Sequence, residues 1–167
     1  VNAIDQHVRV ENDINIKQKV TEIKVNIDQE KNCISISNNG IGIPIVEHKE
    51  HKIYIPELIF GQLLTSSNYD KDEKKVTGGK NGYGAKLANI FSTKFKITTI
   101  DHEKKLKYEQ VFENNMTKKN KPIITKCNDK PYTNIEFYPD LNRFNIDKIN
   151  DDTINLMKKR VIDCTAC

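Results

Sequence analysis

The stretch Ile34-Ser35-Ile36-Ser37-Asn38-Asn39-Gly40-Ile41-Gly42-Ile43-Pro44 decides the fold. Its first half alternates apolar and polar residues, the period of a half-buried strand, while its second half, with two glycines and a proline, can continue neither strand nor helix. The strand must therefore deliver Asn38 and Asn39 into a shaped loop. Upstream, Ile23, Val25 and Ile27 alternate in the same way, and Asp28-Gln29-Glu30-Lys31-Asn32 is a polar turn, so the two runs form a hairpin. A side-chain amide at such a strand end, beside two close-packed glycines, offers a donor and an acceptor to the polar edge of a base such as adenine. Taken alone, Asn-Asn-Gly reads first as an ordinary turn.

Downstream, Pro56 suits the first turn of a helix carrying Leu58, Ile59 and Leu63 on one side and running out near Thr65 to Asn68. Tyr69 to Lys75 is charged and aperiodic, the composition of a mobile loop or lid. Gly78-Gly79-Lys80-Asn81-Gly82-Tyr83-Gly84 then places four glycines in seven residues at the start of a second helix, whose expected apolar face is Leu87, Ile90 and Phe91. Strands are expected at Lys96–Ile100, Leu106–Phe112, Ile123–Cys127 and Thr133–Tyr138, with Asn114–Lys121 the most linker-like connection. A closing helix from about Asp152 would bury Ile154, Met157 and Val161, capped by Asp152 or Thr153. Val1 to about His7 suits the end of a helix with Asn2 and Asp5 on one face. There are no internal repeats. The expected fold is a two-layer α/β (α+β) sandwich, a mostly antiparallel sheet carrying helices on one face.

At 167 residues the chain is one domain or a large part of one. Hydrophobic residues make up 37%, which in compact runs still supports a folded core, and no apolar stretch reaches the ~18 residues that span a membrane. The net charge of +4 is spread diffusely over lysines interleaved with acids, and the only arginines are Arg9, Arg143 and Arg160. Without a basic stripe, charge gives weak support to nucleic-acid binding. Val1-Asn2-Ala3-Ile4-Asp5 has neither an initiator Met nor a signal sequence, and reads as the cut end of a longer protein. Cys33, Cys127, Cys164 and Cys167 show no disulfide framework and are expected to stay reduced in an intracellular compartment.

The glycine segment imitates two phosphate loops and is neither. After Gly84 a P-loop needs Lys and then Ser or Thr, but Ala85 follows, with Lys86 one place late and Leu87 in place of the hydroxyl. The dinucleotide fingerprint needs a third glycine where Leu87 stands. What survives is the physics: glycines let backbone N–H groups approach an anion, a helix start follows, and Lys80 and Lys86 add charge for a triphosphate. The alternative is a surface turn with solvated lysines. Asn2 can supply a hard oxygen to magnesium or be a simple cap, and Asp5 can orient it. Glu47 and His48 are adjacent in extended chain and point to opposite faces. His7, His51 and His102 lack metal-ligand partners at suitable spacing, Cys164-x-x-Cys167 is half a metal or redox motif, and Tyr54, Phe60 and Phe95 read as core.

In order along the chain, Asn2-Ala3-x-Asp5, NNGIGIP at Asn38 to Pro44, LIFGQLLTSSNY at Leu58 to Tyr69 and KKVTGGKNGYGAKL at Lys74 to Leu87 resemble the ATPase domain of eukaryotic-type DNA topoisomerase II. This is the topoisomerase branch of the GHKL superfamily, with the Bergerat fold, and the likeness continues through FSTKF at Phe91 to Phe95 and YPDL at Tyr138 to Leu141. The resemblance implies ATP as substrate nucleotide, with Asn2 holding Mg2+ and Asp5 beside it. It sets Asn38 at the adenine and Gly42 in the ATP site, with Ser66, Ser67 and Asn68 at ribose and phosphate. Gly79, Lys80, Asn81, Gly82, Tyr83, Gly84, Ala85 and Lys86 match the lid loop around the triphosphate, and Thr133 the strand threonine near the base. Lys80 replaces a common arginine, which keeps the charge and loses bidentate recognition.

The family further implies a nuclear homodimer acting on double-stranded DNA, without a membrane, in which ATP closes a dimer gate for DNA passage, relaxation and decatenation. Its general-base glutamate is expected upstream of Val1 and its γ-phosphate lysine in a transducer domain beyond Cys167. Residues 1–167 are thus expected to be a GHKL domain truncated at its N-terminus and ending before the transducer, with no catalytic residue of their own and little or no turnover. The alternatives are another GHKL ATPase, of chaperone or mismatch-repair type, and a non-enzymatic scaffold with a degenerate site.

Overall fold

The computed structural model describes residues 1–62 and 83–165. The hairpin expected around the polar turn is present: β1 (Ile23–Asp28) pairs with β2 (Cys33–Asn39), from Asp28 opposite Cys33 to Ile23 opposite Asn38. Asn32 takes the left-handed conformation at φ 48°, which Asn tolerates, and the Asp28 carboxylate accepts the Lys31 N–H at 3.0 Å. β3 (Ser92–Asp101) and β4 (Leu106–Glu113) form a second, longer hairpin. β7 (Tyr132–Pro139) lies between the hairpins, pairing with β2 on one side and β3 on the other. The order is β1-β2-β7-β3-β4, and the short strands β5 (Lys118–Lys119) and β6 (Ile123–Lys126) both pair with β4. Every pairing among the described residues is antiparallel.

Period-2 alternation gives the sheet one apolar face. Phe95 and Ile97 of β3, Tyr108 and Phe112 of β4 and Ile45 are buried with Phe60 of α2 (Ile55–Gly61), and Ala85 and Ala88 of α3 (Gly84–Ile90) pack on them. A second, smaller cluster joins Ile34 to Ile149 and Ile154, the latter in α4 (Asp151–Thr165). Phe137 of β7 touches both clusters, so α2, α3 and α4 cover the same face. α1 (Asn2–Asn12) runs further than the expected end near His7. Its last carbonyls are met by Lys19, whose ammonium donates to Glu11 O at 3.2 Å and Asp13 O at 3.0 Å, and His7 Nδ1 lies 2.7 Å from Val20 O.

Several expectations are corrected. In α3 the buried residues are Lys86 and Asn89, while Leu87 is 44% exposed, because Ala85 and Ala88 set the helix close to the sheet and turn Leu87 outward. The linker-like Asn114–Lys121 is a tight connection: Asn114, Asn115 and Met116 all have positive φ, Met116 packs on the core, and Lys118–Lys119 form β5. In α4, Ile154 is buried and Met157 packs against the second cluster, but Val161 is 38% exposed, beyond the reach of that cluster. Its cap is Asn150, whose Oδ1 accepts the Thr153 N–H at 2.8 Å, rather than Asp152 or Thr153. Leu63 and the helix end expected near Asn68 lie outside the described residues. No described helix is long and apolar enough to cross a membrane.

Candidate nucleotide site

The sheet register builds the site's floor. Asn38 of β2 stands opposite Thr133 of β7, and Thr133 stands opposite Thr99 of β3, a row across three strands on the covered face. The two threonine hydroxyls are 3.0 Å apart. Asn38 donates one amide hydrogen to Asn39 O at 2.8 Å, and Asn39 Oδ1 accepts the N–H groups of Thr21 and Glu22 at 2.9 and 3.0 Å. Asn38 thus stands in the last residues of β2, while Asn39 ties the strand end to the segment before β1.

The loop that follows is fixed to β3 along its length. Ile41 O accepts the His102 N–H at 2.9 Å, Ile43 N–H donates to Thr99 Oγ1 at 3.0 Å, and Ile45 N–H donates to Asp101 Oδ2 at 2.8 Å. Gly42, at φ +75°, lies so near β3 that an added Cβ would fall 1.9 Å from Ile100 O. Only glycine fits both that backbone and that approach. Asp101 Oδ1 also accepts the Glu103 and Lys104 N–H groups at 2.8 and 3.1 Å, so one buried carboxylate organises both the loop and the β3–β4 turn.

α3 packs on the same face of the sheet and carries buried polar groups of its own. Lys86 is 3% exposed, and burial pushes its ammonium below the usual lysine range, so it is not the solvated lysine of a surface turn. Asn89 is fully buried and donates to Phe60 O at 3.0 Å, linking α3 to α2. Its Oδ1 has no hydrogen-bond partner among the described residues. Tyr83 is exposed at the N-cap of α3, and Gly84 opens its first turn, where an added Cβ would meet no described atom within 4 Å. Asn2 and Asp5 fall in the first turn of α1, Asn2 exposed and Asp5 buried. Ser66, Ser67, Asn68, Gly79, Lys80, Asn81 and Gly82 lie outside the described residues.

Sequence reasoning missed Thr99, Asp101 and Asn89. The signal for the first two was a polar residue in phase with Phe95 and Ile97, positions whose period demands an apolar side chain. For Asn89 no periodic signal existed, since Leu87 and Ile90 carried the apparent face. The histidine reading is also corrected: His48, Glu50 and His51 gather in the turn closed by the Glu47–Tyr54 bridge, with their possible ligand atoms within 4.8 Å of one another. His48 Nδ1 accepts the Glu50 and His51 N–H groups at 3.3 and 3.4 Å, which commits that ring atom inside the turn.

Comparison with known proteins agrees with the fold. Residues 1–141 match the family described as histidine kinase-, DNA gyrase B-, and HSP90-like ATPase. DNA topoisomerase 2 of Arabidopsis thaliana is 52% identical over 168 residues, covering 100% of this chain and 11% of the plant protein. DNA topoisomerase 2-beta of Homo sapiens is 54% identical over 163 residues, covering 98% and 10%. The chain spans about a tenth of the length of these relatives. The crystal structure of the ATPase region of Saccharomyces cerevisiae topoisomerase II superposes with a TM-score of 0.90 at 49% identity, covering 98% of this chain and 42% of that one.

Proposed function

Because the chain belongs to the histidine kinase-, DNA gyrase B-, and HSP90-like ATPase family, we propose that its corner of β2, β7, β3 and α3 binds ATP. The observation that carries this reading is the row Asn38, Thr133 and Thr99 beneath a glycine loop that β3 holds in place. Asn38 supplies the amide for the adenine edge, Thr133 the neighbouring hydroxyl, and Gly42 the close backbone. Ser66, Ser67 and Asn68 contact ribose and phosphate, and Gly79 through Lys86 wrap the triphosphate with the buried Lys86 among them. Asn2, an exposed carboxamide at the start of α1, would offer a hard oxygen to magnesium, which would supply positive charge against the triphosphate.

At the level of the whole protein, the proposed role is the ATP-binding part of a type II DNA topoisomerase, a nuclear homodimer in which bound ATP closes a gate for passage of one duplex through another. In that role residues 1–167 supply nucleotide binding and coupling. The test is equilibrium binding of the β,γ-imido analogue of ATP to this chain with Mg2+. Saturable, magnesium-dependent binding that Gly84→Val or Asn2→Ala weakens at least tenfold is expected. No binding by the unaltered chain at millimolar ligand refutes the reading and favours a scaffold with a degenerate site.

A further inference from the structure

Thr99 is completely buried among apolar neighbours, and its hydroxyl has a full set of partners. Ile43 N–H lies 3.0 Å from Thr99 Oγ1, Tyr132 O lies 3.1 Å away, and Thr133 Oγ1 lies 3.0 Å away. A hydroxyl has one hydrogen to give and two lone pairs to receive with. The Ile43 amide can only donate and the Tyr132 carbonyl can only accept. One assignment satisfies all three contacts: Thr99 accepts from Ile43 and from Thr133, and donates to Tyr132. If Thr99 donated to Thr133 instead, the contact to Tyr132 O would lose its hydrogen. The saturated assignment consumes the Thr133 hydrogen inside the protein, and the half-buried Thr133 Oγ1 then presents only lone pairs outward.

We infer that Thr99 is a positioning residue that fixes Thr133 as a hydrogen-bond acceptor, and that this selects a purine bearing an exocyclic amino group over one bearing an oxo group at the same ring position. The inference rests on the nucleotide reading given above and deepens it. An amino group donates to Thr133, whereas an oxo group meets another acceptor and pays the cost of an unmade bond in a dry site. The Asn38 amide, next in the row, holds Asn39 O with one hydrogen and keeps both its oxygen and its second hydrogen for the base, so it can serve an amino or an oxo group without flipping, and the discrimination falls to the hydroxyl whose hydrogen is already committed.

The test is equilibrium binding of the β,γ-imido analogues of ATP and ITP, with Mg2+, to the full chain. The unaltered protein should prefer the adenine analogue at least tenfold. Thr99→Val, which keeps shape and removes the hydroxyl, should lower that preference about tenfold, because the Thr133 hydrogen becomes available to an oxo group. Thr99→Ser should restore it. Asp101→Asn loosens the same loop at Ile45 without touching the hydroxyl row, and should weaken both analogues together while leaving their ratio unchanged. A ratio unmoved by Thr99→Val, or moved equally by Asp101→Asn, overturns the inference while leaving nucleotide binding intact. Binding of neither analogue by the unaltered chain overturns the nucleotide reading and this one with it. A measurement that needs no variant is the NMR exchange of the Thr133 hydroxyl proton: slow exchange and a cross-peak to Thr99 are expected, and free exchange with water overturns the assignment.

Discussion

At neighbouring positions of β3 and β4 the two faces of the sheet hold polar side chains in opposite ways, although Thr98, on the face of Lys96 and Glu109, is itself only 5% exposed. On the covered face Thr99, Asp101 and Gln110 are at most 5% exposed and each is met by fixed partners. Gln110 accepts the Tyr108 hydroxyl and donates to Glu57 Oε2 at 3.0 Å and Asn120 O at 3.1 Å. Burial pushes the Tyr108 phenol well above the usual tyrosine range, so it remains a donor at any physiological pH. One residue along, on the open face, Glu109 pairs with Lys96 at 3.0 Å and Lys107 at 3.1 Å, all three about a third exposed. A polar group lost from the covered face strands its partner away from water, whereas on the open face water takes its place.

The largest effect expected from this contrast is at Asp101. Asp101→Ala removes three N–H contacts at once, those of Ile45, Glu103 and Lys104, in a site that water does not reach freely. The expected loss is about 3 kcal/mol of unfolding free energy, read from urea titration. A loss below about 1 kcal/mol would mean that the loop repacks and that the covered face is more forgiving than its hydrogen bonds imply.

Next in size is the pair of substitutions that tests α3. Asn89→Ala deletes a buried amide and strands Phe60 O, with an expected cost of about 2 kcal/mol, whereas Leu87→Ala on the same helix should stay within about 0.5 kcal/mol. Thermal unfolding of the two variants side by side reads the difference. Equal losses would restore Leu87 to the core and contradict the orientation of the helix.

The strands were legible because their period is geometrically rigid: Ile34 and Ile36, or Phe95 and Ile97, can share a face in only one way, and the register of β2, β7 and β3 follows. Asn38 and Gly42 were legible because a broken strand period followed by glycine has few solutions. The short helices were not. Seven residues of α3 give fewer than two apolar repeats, so the pair of small alanines that lets the helix sit close outweighed the larger Leu87, and Lys86 with Asn89 went under. α4 misled in the other direction, since its apolar residues continue to Val161 and Ile162 after the second cluster has ended at Met157. Thr99 and Asp101 could be seen only as exceptions on an apolar face; the loop N–H groups they hold, those of Ile43 and Ile45, lie more than fifty residues away in sequence, where no local pattern reports them.

The smallest effect belongs to the open face, and pH gives it a sign. The hydrogen bond from Lys96 first, joined by that from Lys107, holds the Glu109 carboxyl below the usual glutamate range, against an upward push from burial. A carboxylate whose folded pKa is depressed stabilises the protein above the unfolded value, near 4.3, and that contribution is lost as pH falls through the folded value. Glu109→Gln should therefore cost about 0.5 kcal/mol at pH 7 in low salt. The difference from the unaltered chain should shrink as pH is lowered below about 4, and shrink at pH 7 on raising salt toward 1 M, where the Debye length is about 3 Å. Denaturant titrations across pH and salt read both trends. A cost above about 2 kcal/mol, or one insensitive to both variables, would place Glu109 with Asp101 as a fixed partner and erase the contrast between the two faces.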